Sequence, residues 1–341
     1  MARSLATPSK IRELQIKLYR KAKNEPEFRF YQLYDKVYRE DILNHAYALA
    51  RANDGGPGVD AERTCRGERF EDTVRAFRIE SKGLAEWMNG LREDLHNKTY
   101  RPQPVRRVFR PKPGGGERPL GIPTIRDRVA QTAAKLILEP IWEADLEPNA
   151  YGYRPQKSAQ DAIQKVDELL HEGYTDIVDA DLSKYFDTIP HSELLQCVAR
   201  RIVDRQMLHL IKMWLKVPVE EKDEAGKKRL TGGKDHDRGT PQGGVVSPAL
   251  ANLYMNRMLK GWRQTKRGEQ FRAHIVNYAD DFVILSRGKA KEALGWTRGV
   301  LEARAAGIDP KRKEDECPEC LSGEFRFSGI YIRAALQYAD G

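Results

Sequence analysis

Two adjacent carboxylates, Asp280 and Asp281, lie between two short apolar segments, residues 275–278 and 282–285. Both segments are rich in β-branched and aromatic residues, so the pattern predicts a tight β-hairpin with the two aspartates at its tip. Carboxylates on rigid strands supply the hard oxygen ligands that Mg²⁺ prefers, and two such ions can activate an attacking oxygen and stabilise a leaving one. The pattern favours phosphoryl or nucleotidyl transfer, although an adjacent acidic pair is also common in solvated turns.

A second acidic segment, residues 176–187, alternates carboxylates with apolar residues. As a strand it places Asp179 and Asp181 on one face and an apolar row on the other. The strand must end before Pro190, which is typical of the first turn of a helix. One aspartate from this strand end and two from the hairpin would form a three-carboxylate site for two metal ions.

The remaining elements are predicted from periodicity and turn residues. Helical periodicity with basic outer faces covers residues 8–52, and residues 101–118 alternate basic and apolar side chains before a triple glycine, which predicts a cationic hairpin. A helix is expected from Arg128 to Leu138, ending before Pro140. A charged insertion, residues 219–238, is predicted to form a second exposed hairpin.

Helix ends are marked at three further places. Ser158 and Asp161 form a capping box that begins a helix with an apolar stripe of Ile163, Val166, Leu169 and Leu170, and Gly173 ends it. Ser247 and Pro248 are an N-cap and first-turn pair after a glycine-rich turn. A last helix is expected over residues 290–306, ending at Gly307.

Composition is compatible with a phosphate-rich partner. The chain has 341 residues, with 59 Lys and Arg against 50 Asp and Glu, and a formal net charge of +9. Such a charge suits nucleic acid, although many proteins are equally basic. The sequence shows neither an apolar run long enough to span a bilayer nor an N-terminal signal peptide. We therefore expect an intracellular, soluble, cytoplasmic protein with no membrane partner.

The four cysteines, Cys65, Cys197, Cys317 and Cys320, are too few and too scattered for a disulfide framework. Cys317 and Cys320 have the spacing of half a zinc site. No second Cys or His pair with ligand spacing accompanies them, which disfavours zinc.

In order and spacing, the motifs of this chain resemble the reverse transcriptases, and within them the bacterial group II intron reverse transcriptase/maturases. Besides the acidic segment of residues 176–187, the matching segments are residues 28–39, 55–60, 118–124, 151–155, 239–248 and 278–281. A set of motifs in sequence order is far more specific than any single motif.

The resemblance implies an α+β fold, the fingers and palm of a right-hand polymerase, with the palm an antiparallel sheet backed by helices. It implies an N-terminal helical extension at 1–52, fingers at 53–147, and a palm at 148–341 with a fingers insertion at about 191–238. The match ends at residues 327–331, where Ser328 replaces the usual Leu, and residues 309–313 also depart from the family pattern. We therefore expect neither a thumb nor an endonuclease domain.

By the same resemblance, Asp181, Asp280 and Asp281 are the catalytic residues and the ligands of two Mg²⁺ ions. Leu182 would lend a backbone carbonyl to the second ion. Asp179 shares the strand face but lies two residues deeper, and the family match falls on Asp181.

The resemblance also implies nucleotide contacts. Lys112 and Arg118 would bind the triphosphate, Phe186 would exclude a 2′-hydroxyl and so select dNTPs, and Gln242 would flank the nascent base pair. Each has a plainer interpretation, as a surface cation, a core aromatic or a loop residue. Four further residues are candidates for nucleic-acid contact, with loop packing or solvation as the alternative: Arg126, Arg128, Tyr153 and Arg154.

The expected function is RNA-directed DNA polymerisation of group II intron type, with dNTPs, a DNA primer, an RNA template and intron RNA as partners. A non-catalytic, maturase-like RNA-binding protein is the alternative. A defence-associated or CRISPR-associated reverse transcriptase is a third interpretation. The sequence does not indicate an oligomeric state.

Overall fold

The computed structural model describes residues 5–53, 56, 58–60, 83–111, 116–222, 227–233, 235–305 and 331–338. For residues 181, 183, 222, 302–305 and 331–338 it describes the backbone alone. The chain divides into two compact units. The first comprises Met1–Asp145 and Leu195–Ser247, and the second Leu146–Leu194 and Pro248–Gly341.

The first unit combines helices with a mixed sheet. Its helices are α1 (Ser9–Asn24), α2 (Tyr34–Val37), α3 (Glu40–Ala52), α4 (Leu84–His96), α5 (Ile125–Glu143) and α9 (Arg205–Leu215). Its strands are β1 (Val105–Pro111), β2 (Glu117–Ile122), β4 (Val219–Lys222) and β5 (Lys228–Thr231). Helices α8 (His191–Ala199) and α10 (Ser247–Gln264) cross the boundaries between the units.

The sheet of the first unit has the order β2-β1-β4-β5. Both predicted hairpins are confirmed, because β1 pairs antiparallel with β2, and β4 pairs antiparallel with β5. In addition, β4 pairs in parallel with β1, with Val105 opposite Val219. The insertion is thus an extension of the first hairpin's sheet, which the sequence pattern did not indicate.

The predicted end of α5 before Pro140 is wrong, since the helix continues through this proline to Glu143. Proline has no N–H, and therefore the carbonyl of Leu136 loses its partner within the helix. Gln15 on α1 supplies a replacement, because its Nε2 donates to the Leu136 oxygen at 3.0 Å. A side chain from elsewhere in the sequence thus satisfies the group that the proline leaves unpaired.

Asp204 joins the N-terminal helices to α9. One carboxylate oxygen caps α9 by accepting from the backbone N–H groups of Gln206 and Met207. The other accepts from the N–H groups of Leu33 and Tyr34 at the start of α2, both at 2.8 Å. Because unpaired N–H groups at a helix start are costly to bury, this single carboxylate stabilises two helix ends.

The second unit contains a four-stranded antiparallel sheet with helices. Its strands are β3 (Asp176–Ser183), β6 (Ala273–Tyr278), β7 (Asp281–Ser286) and β8 (Tyr331–Tyr338), in the order β6-β7-β3-β8. Its helices are α6 (Ala159–His171), α7 (Tyr185–Thr188), α11 (Arg267–Gln270) and α12 (Ala290–Ala305).

Strand β3 has the predicted two-faced pattern. Val178, Ala180 and Leu182 are all at most 1% exposed, whereas Asp179 is exposed. The chain leaves the strand at Ser183 and enters α7, so Pro190 comes one residue before α8 rather than within its first turn.

Helix α6 covers one face of the sheet in the second unit. It begins with the predicted capping box, in which Ser158 and Asp161 exchange side-chain and backbone hydrogen bonds. Ala162 and Leu169 pack against Val276 and Leu285 of the sheet. The expected place of Ile163 in this apolar stripe is wrong, because its side chain is 67% exposed.

One further helix prediction differs from the structure by one residue, because α10 includes Ser247, the expected N-cap. Helix α12 is described as far as Ala305, and its expected end at Ala306 lies outside the described residues. Gly307, Cys317, Cys320 and residues 327–330 lie outside the described residues. Within the described ranges, no helix combines the length and the apolar character needed to cross a bilayer.

Candidate catalytic site

The predicted acidic hairpin is present at the edge of the sheet in the second unit. Strands β6 and β7 pair through Tyr278 and Asp281, which leaves Ala279 and Asp280 as the two-residue turn. Asp280 is half-buried and Asp281 is exposed. Both carboxylate residues therefore lie where a short turn joins two buried strands.

The register of β3 brings the second acidic segment to this turn. Asp181 is directly paired with Asp281, and the N–H of Leu182 donates to the Asp280 carbonyl at 3.3 Å. Directly paired residues of antiparallel strands share one face of a sheet. The backbone of Asp181 thus lies beside the turn of Asp280 and Asp281 at one end of the sheet, although the two segments are distant in the sequence. Asp179 is paired with Val283, deeper in the sheet.

This donor set fits Mg²⁺ in its chemistry, since it consists of carboxylate oxygens on rigid strands. Among the side chains that the structure describes, which do not include that of Asp181, no cluster of three or more His, Cys, Asp or Glu has the geometry of a metal site. The backbone register is therefore the observation that supports a metal site here.

The loop of residues 149–154 supports the hairpin. It runs parallel to β6, with the N–H of Tyr151 donating to the Asn277 carbonyl at 2.8 Å. Gly152 lies against the turn, and a Cβ on Gly152 would be 2.4 Å from the Ala279 nitrogen. The backbone of this loop therefore packs directly against the turn and leaves no room for a side chain at residue 152.

Tyr153 and Phe186 form an aromatic pair in the second unit. Their ring centroids are 6.4 Å apart in an edge-to-face arrangement, and Phe186 has a second such contact with Tyr185 at 5.9 Å. Tyr153 is 51% exposed and has a positive φ of 54°, which is uncommon for a residue with a side chain. Phe186, whose ring is expected to contact the sugar of the incoming nucleotide, therefore packs against aromatic rings on two sides.

Arg154 has a role within the protein that the sequence did not indicate. Its Nη1 donates to the carbonyls of Glu147 and Ala150, at 2.6 and 2.7 Å. The guanidinium therefore holds the supporting loop in shape, and its predicted contact with nucleic acid stays a prediction.

In the first unit, the cationic hairpin places two arginines opposite each other. Arg118 on β2 is paired with Arg110 on β1, and both side chains are exposed. Like charges in directly opposite positions are destabilising, so this pair favours an anionic ligand. Sequence reasoning did not single out Arg110, although its place in the alternating pattern pointed to it. Lys112 lies outside the described residues.

Gln242 lies beside the same hairpin. Its carbonyl accepts from the N–H of Gly121 on β2 at 2.5 Å. Gly243 has a φ of +107°, and a Cβ there would be 2.6 Å from the Gly121 oxygen. The glycines thus permit the turn to pack directly on β2, three residues from Arg118.

The two other arginines expected to contact nucleic acid are engaged within the first unit. Arg126 donates to the Gly90 carbonyl at 3.0 Å and forms an ion pair with Asp94. Arg128 donates to the carbonyls of Pro123 and Gly56. Burial lowers the pKa of the Arg128 guanidinium. Both side chains position the protein's own backbone, and their nucleic-acid contacts stay predictions.

The comparisons with known proteins agree with this architecture. The family model for reverse transcriptase (RNA-dependent DNA polymerase) matches residues 110–306. The chain therefore belongs to the reverse transcriptase family and, within it, to the group II intron reverse transcriptase/maturases. Its α+β fold is the fingers and palm of these enzymes.

Particular relatives were found in two bacteria. The chain is 34% identical to Protein YkfC of Escherichia coli over 86% of its own length and 81% of that protein. It is 33% identical to the group II intron-encoded protein LtrA of Lactococcus lactis over 70% of its length, which is 36% of LtrA. Among solved structures, a partial Cas6-RT-Cas1--Cas2 complex aligns with 80% of this chain and 41% of that chain, at 17% identity and a TM-score of 0.41.

Proposed function

We propose that this protein is an RNA-directed DNA polymerase of group II intron type, transferring nucleotides from dNTPs to a primer 3′-hydroxyl on an RNA template. The observation that carries the proposal is the pairing of Asp181 with Asp281, together with the hydrogen bond from Leu182 to Asp280. Carboxylates on neighbouring strand ends repel one another, and bound cations that serve catalysis would offset this repulsion.

In this proposal, Asp181, Asp280 and Asp281 hold two Mg²⁺ ions. When bound, the ions would lower the pKa of the primer hydroxyl and neutralise charge on the triphosphate and its leaving pyrophosphate. Leu182 contributes its backbone carbonyl. The rigid strands keep the carboxylates in place, so little reorganisation is needed before the reaction.

The remaining residues would bind and select the substrates. Arg118, Arg110 and Lys112 bind the triphosphate, because guanidinium groups pair bidentately with phosphate oxygens. Gln242 lies beside the nascent base pair, and Phe186, packed against Tyr153 and Tyr185, excludes the 2′-hydroxyl of an rNTP.

We assign the first unit to the fingers and the second unit to the palm. Intron RNA, a primer and dNTPs in the cytoplasm are the proposed partners, and splicing and mobility of an intron the proposed context.

The test is incorporation of labelled dNTPs on a poly(rA)/oligo(dT) duplex with Mg²⁺. We expect Asp280→Asn and Asp181→Asn to lower the rate by at least about 10³-fold, since each removes a charge that stabilises the transition state. Asp179→Asn is the matched control, because it changes an exposed aspartate on the same strand, and it should retain the wild-type rate within about threefold. Equal rates for Asp181→Asn and Asp179→Asn would contradict the assignment.

The second candidate function is RNA binding without catalysis. A measurement of RNA binding beside the same incorporation assay tests it. The favouring observation is the outer face of α1, where Lys10, Arg12, Lys17 and Arg20 are exposed beside Tyr19. Exposed basic and aromatic side chains suit a phosphate backbone and bases. RNA binding by a wild-type chain that incorporates no dNTP would favour this alternative.

A further inference from the structure

The turn that carries Asp280 has a backbone conformation that its residues do not favour. Ala279 has a φ of +61°. For a residue with a side chain this left-handed conformation costs roughly 1–2 kcal/mol. Two-residue hairpin turns usually place Gly, Asn or Asp at such positions. Some other interaction must therefore stabilise the turn.

The side chain of Asn277 makes that interaction. Its Nδ2 donates to the carbonyl of Ala279 at 2.9 Å and to the carbonyl of Asp281 at 3.0 Å. These two carbonyls lie on either side of Asp280. One amide group thus bonds to the carbonyl of the residue before Asp280 and to that of the residue after it, and so stabilises the turn that carries both carboxylates.

Asn277 is itself held firmly. It is 1% exposed, its N–H donates to the Asn149 carbonyl at 2.9 Å, and its carbonyl accepts from the N–H of Tyr151 at 2.8 Å. It is also paired with the buried Phe282 on β7. An uncharged amide with two donors suits this position, because a carboxylate would repel the two carbonyls and an apolar side chain would leave them without a donor.

We propose that Asn277 is a positioning residue for the metal-binding carboxylates. Its amide holds the left-handed turn and thereby sets where Asp280 and Asp281 lie before any ion binds. This inference rests on the proposed function, since it assigns the two aspartates to a metal site. Preorganised ligands bind without a reorganisation cost, so loss of the amide should weaken cation binding.

The experiment measures Mn²⁺ binding by electron paramagnetic resonance, with no nucleic acid or nucleotide present. We expect Asn277→Leu to weaken Mn²⁺ binding by about tenfold, the effect of losing two hydrogen bonds that favour the binding conformation. Asn256→Leu is the matched control. Asn256 is also buried, at 3% exposure, and its Oδ1 accepts from the N–H of Glu147. The control should bind Mn²⁺ as the wild type does.

A second variant tests the mechanism and remains informative if Asn277→Leu does not fold. Glycine adopts a positive φ without a Cβ penalty, so Ala279→Gly should make the amide less necessary. In the Ala279→Gly background we expect Asn277→Leu to weaken Mn²⁺ binding by less than about threefold. Circular dichroism and thermal unfolding would establish that each variant is folded.

Wild-type Mn²⁺ affinity in Asn277→Leu, an equal loss in Asn256→Leu, or an undiminished loss in the Ala279→Gly background would each overturn the proposal. Failure of the wild-type chain to incorporate dNTPs would instead refute the proposed function. The Mn²⁺ titration would still decide the role of Asn277, because it requires neither primer nor nucleotide.

Discussion

Single residues at the candidate catalytic site are constrained by space as well as by charge. Gly152 is the clearest case, since a Cβ there would lie 2.4 Å from the Ala279 nitrogen and 3.0 Å from the Tyr278 carbonyl carbon. Backbone atoms cannot move aside as the end of a flexible side chain can. Glycine is therefore required at this position by the close contact with the turn. Its backbone conformation does not require glycine, because its φ is not positive.

We predict that Gly152→Ala lowers dNTP incorporation by at least about tenfold, because the added methyl group displaces the turn and misplaced catalytic groups lose rate steeply. Gly295→Ala is the matched control. Nothing lies within 4 Å of a Cβ at Gly295, which is inside α12. The control should retain activity and gain up to about 1 kcal/mol of stability. Single-turnover incorporation and urea unfolding measure the two effects, and an active Gly152→Ala variant would contradict the prediction.

At the scale of an element, α5 shows how a helix tolerates an internal proline. Pro140 removes the N–H that would bond to the Leu136 carbonyl, and Gln15 of α1 donates to that oxygen instead. A buried carbonyl without a donor costs about 1–3 kcal/mol. The contact therefore couples α1 to the interior of α5.

This coupling predicts that substitutions of Gln15 and Pro140 have non-additive effects on the free energy of unfolding. Gln15→Leu should lower the free energy of unfolding by about 1 kcal/mol in the wild-type background. It should have little effect in the Pro140→Ala background, where the alanine N–H can bond to the Leu136 carbonyl. Urea unfolding of the four chains gives the coupling energy directly. An equal cost of Gln15→Leu in both backgrounds would show that the two residues act independently.

At the scale of the whole molecule, the stability of the fold should depend on a buried histidine. His45 on α3 is 6% exposed, and its Nε2 has no hydrogen-bond partner within the described part of the chain. Burial lowers the pKa of this imidazole from its usual 6.5. The folded protein therefore keeps His45 neutral at a pH where the unfolded chain binds a proton.

The sign of the effect follows from proton linkage. The contribution of neutral His45 to the free energy of unfolding is complete above pH 6.5. It is lost as the pH falls through 6.5 toward the lowered pKa of the folded state, and the free energy of unfolding then falls by at most about 1.4 kcal/mol per pH unit. We predict that His45→Gln reduces the loss of unfolding free energy between pH 7.5 and 5.0. Removing the exposed His209 as His209→Gln should not reduce it. Urea unfolding at several pH values measures this, and parallel curves for wild type and His45→Gln would contradict it.

The local elements of this protein could be predicted from the amino-acid sequence. The acidic hairpin, the two-faced strand with Asp181 and the capping box of Ser158 and Asp161 were all predicted correctly. Each depends on residues only a few positions apart, through side-chain alternation or a cap that satisfies nearby N–H groups. The order of the motifs was sufficient to recognise the family, which the comparisons confirm.

The contacts between these elements could not be predicted from the sequence and are known from the three-dimensional structure. It pairs Asp181 with Asp281, adds β4 in parallel to β1, exposes Ile163 and uses Gln15 to accommodate Pro140. It also turns Arg154 and Asn277 toward backbone carbonyls of their own unit. The physical reason is that a hydrogen bond or a buried face needs a partner distant in the sequence, and no local pattern specifies which partner it will be.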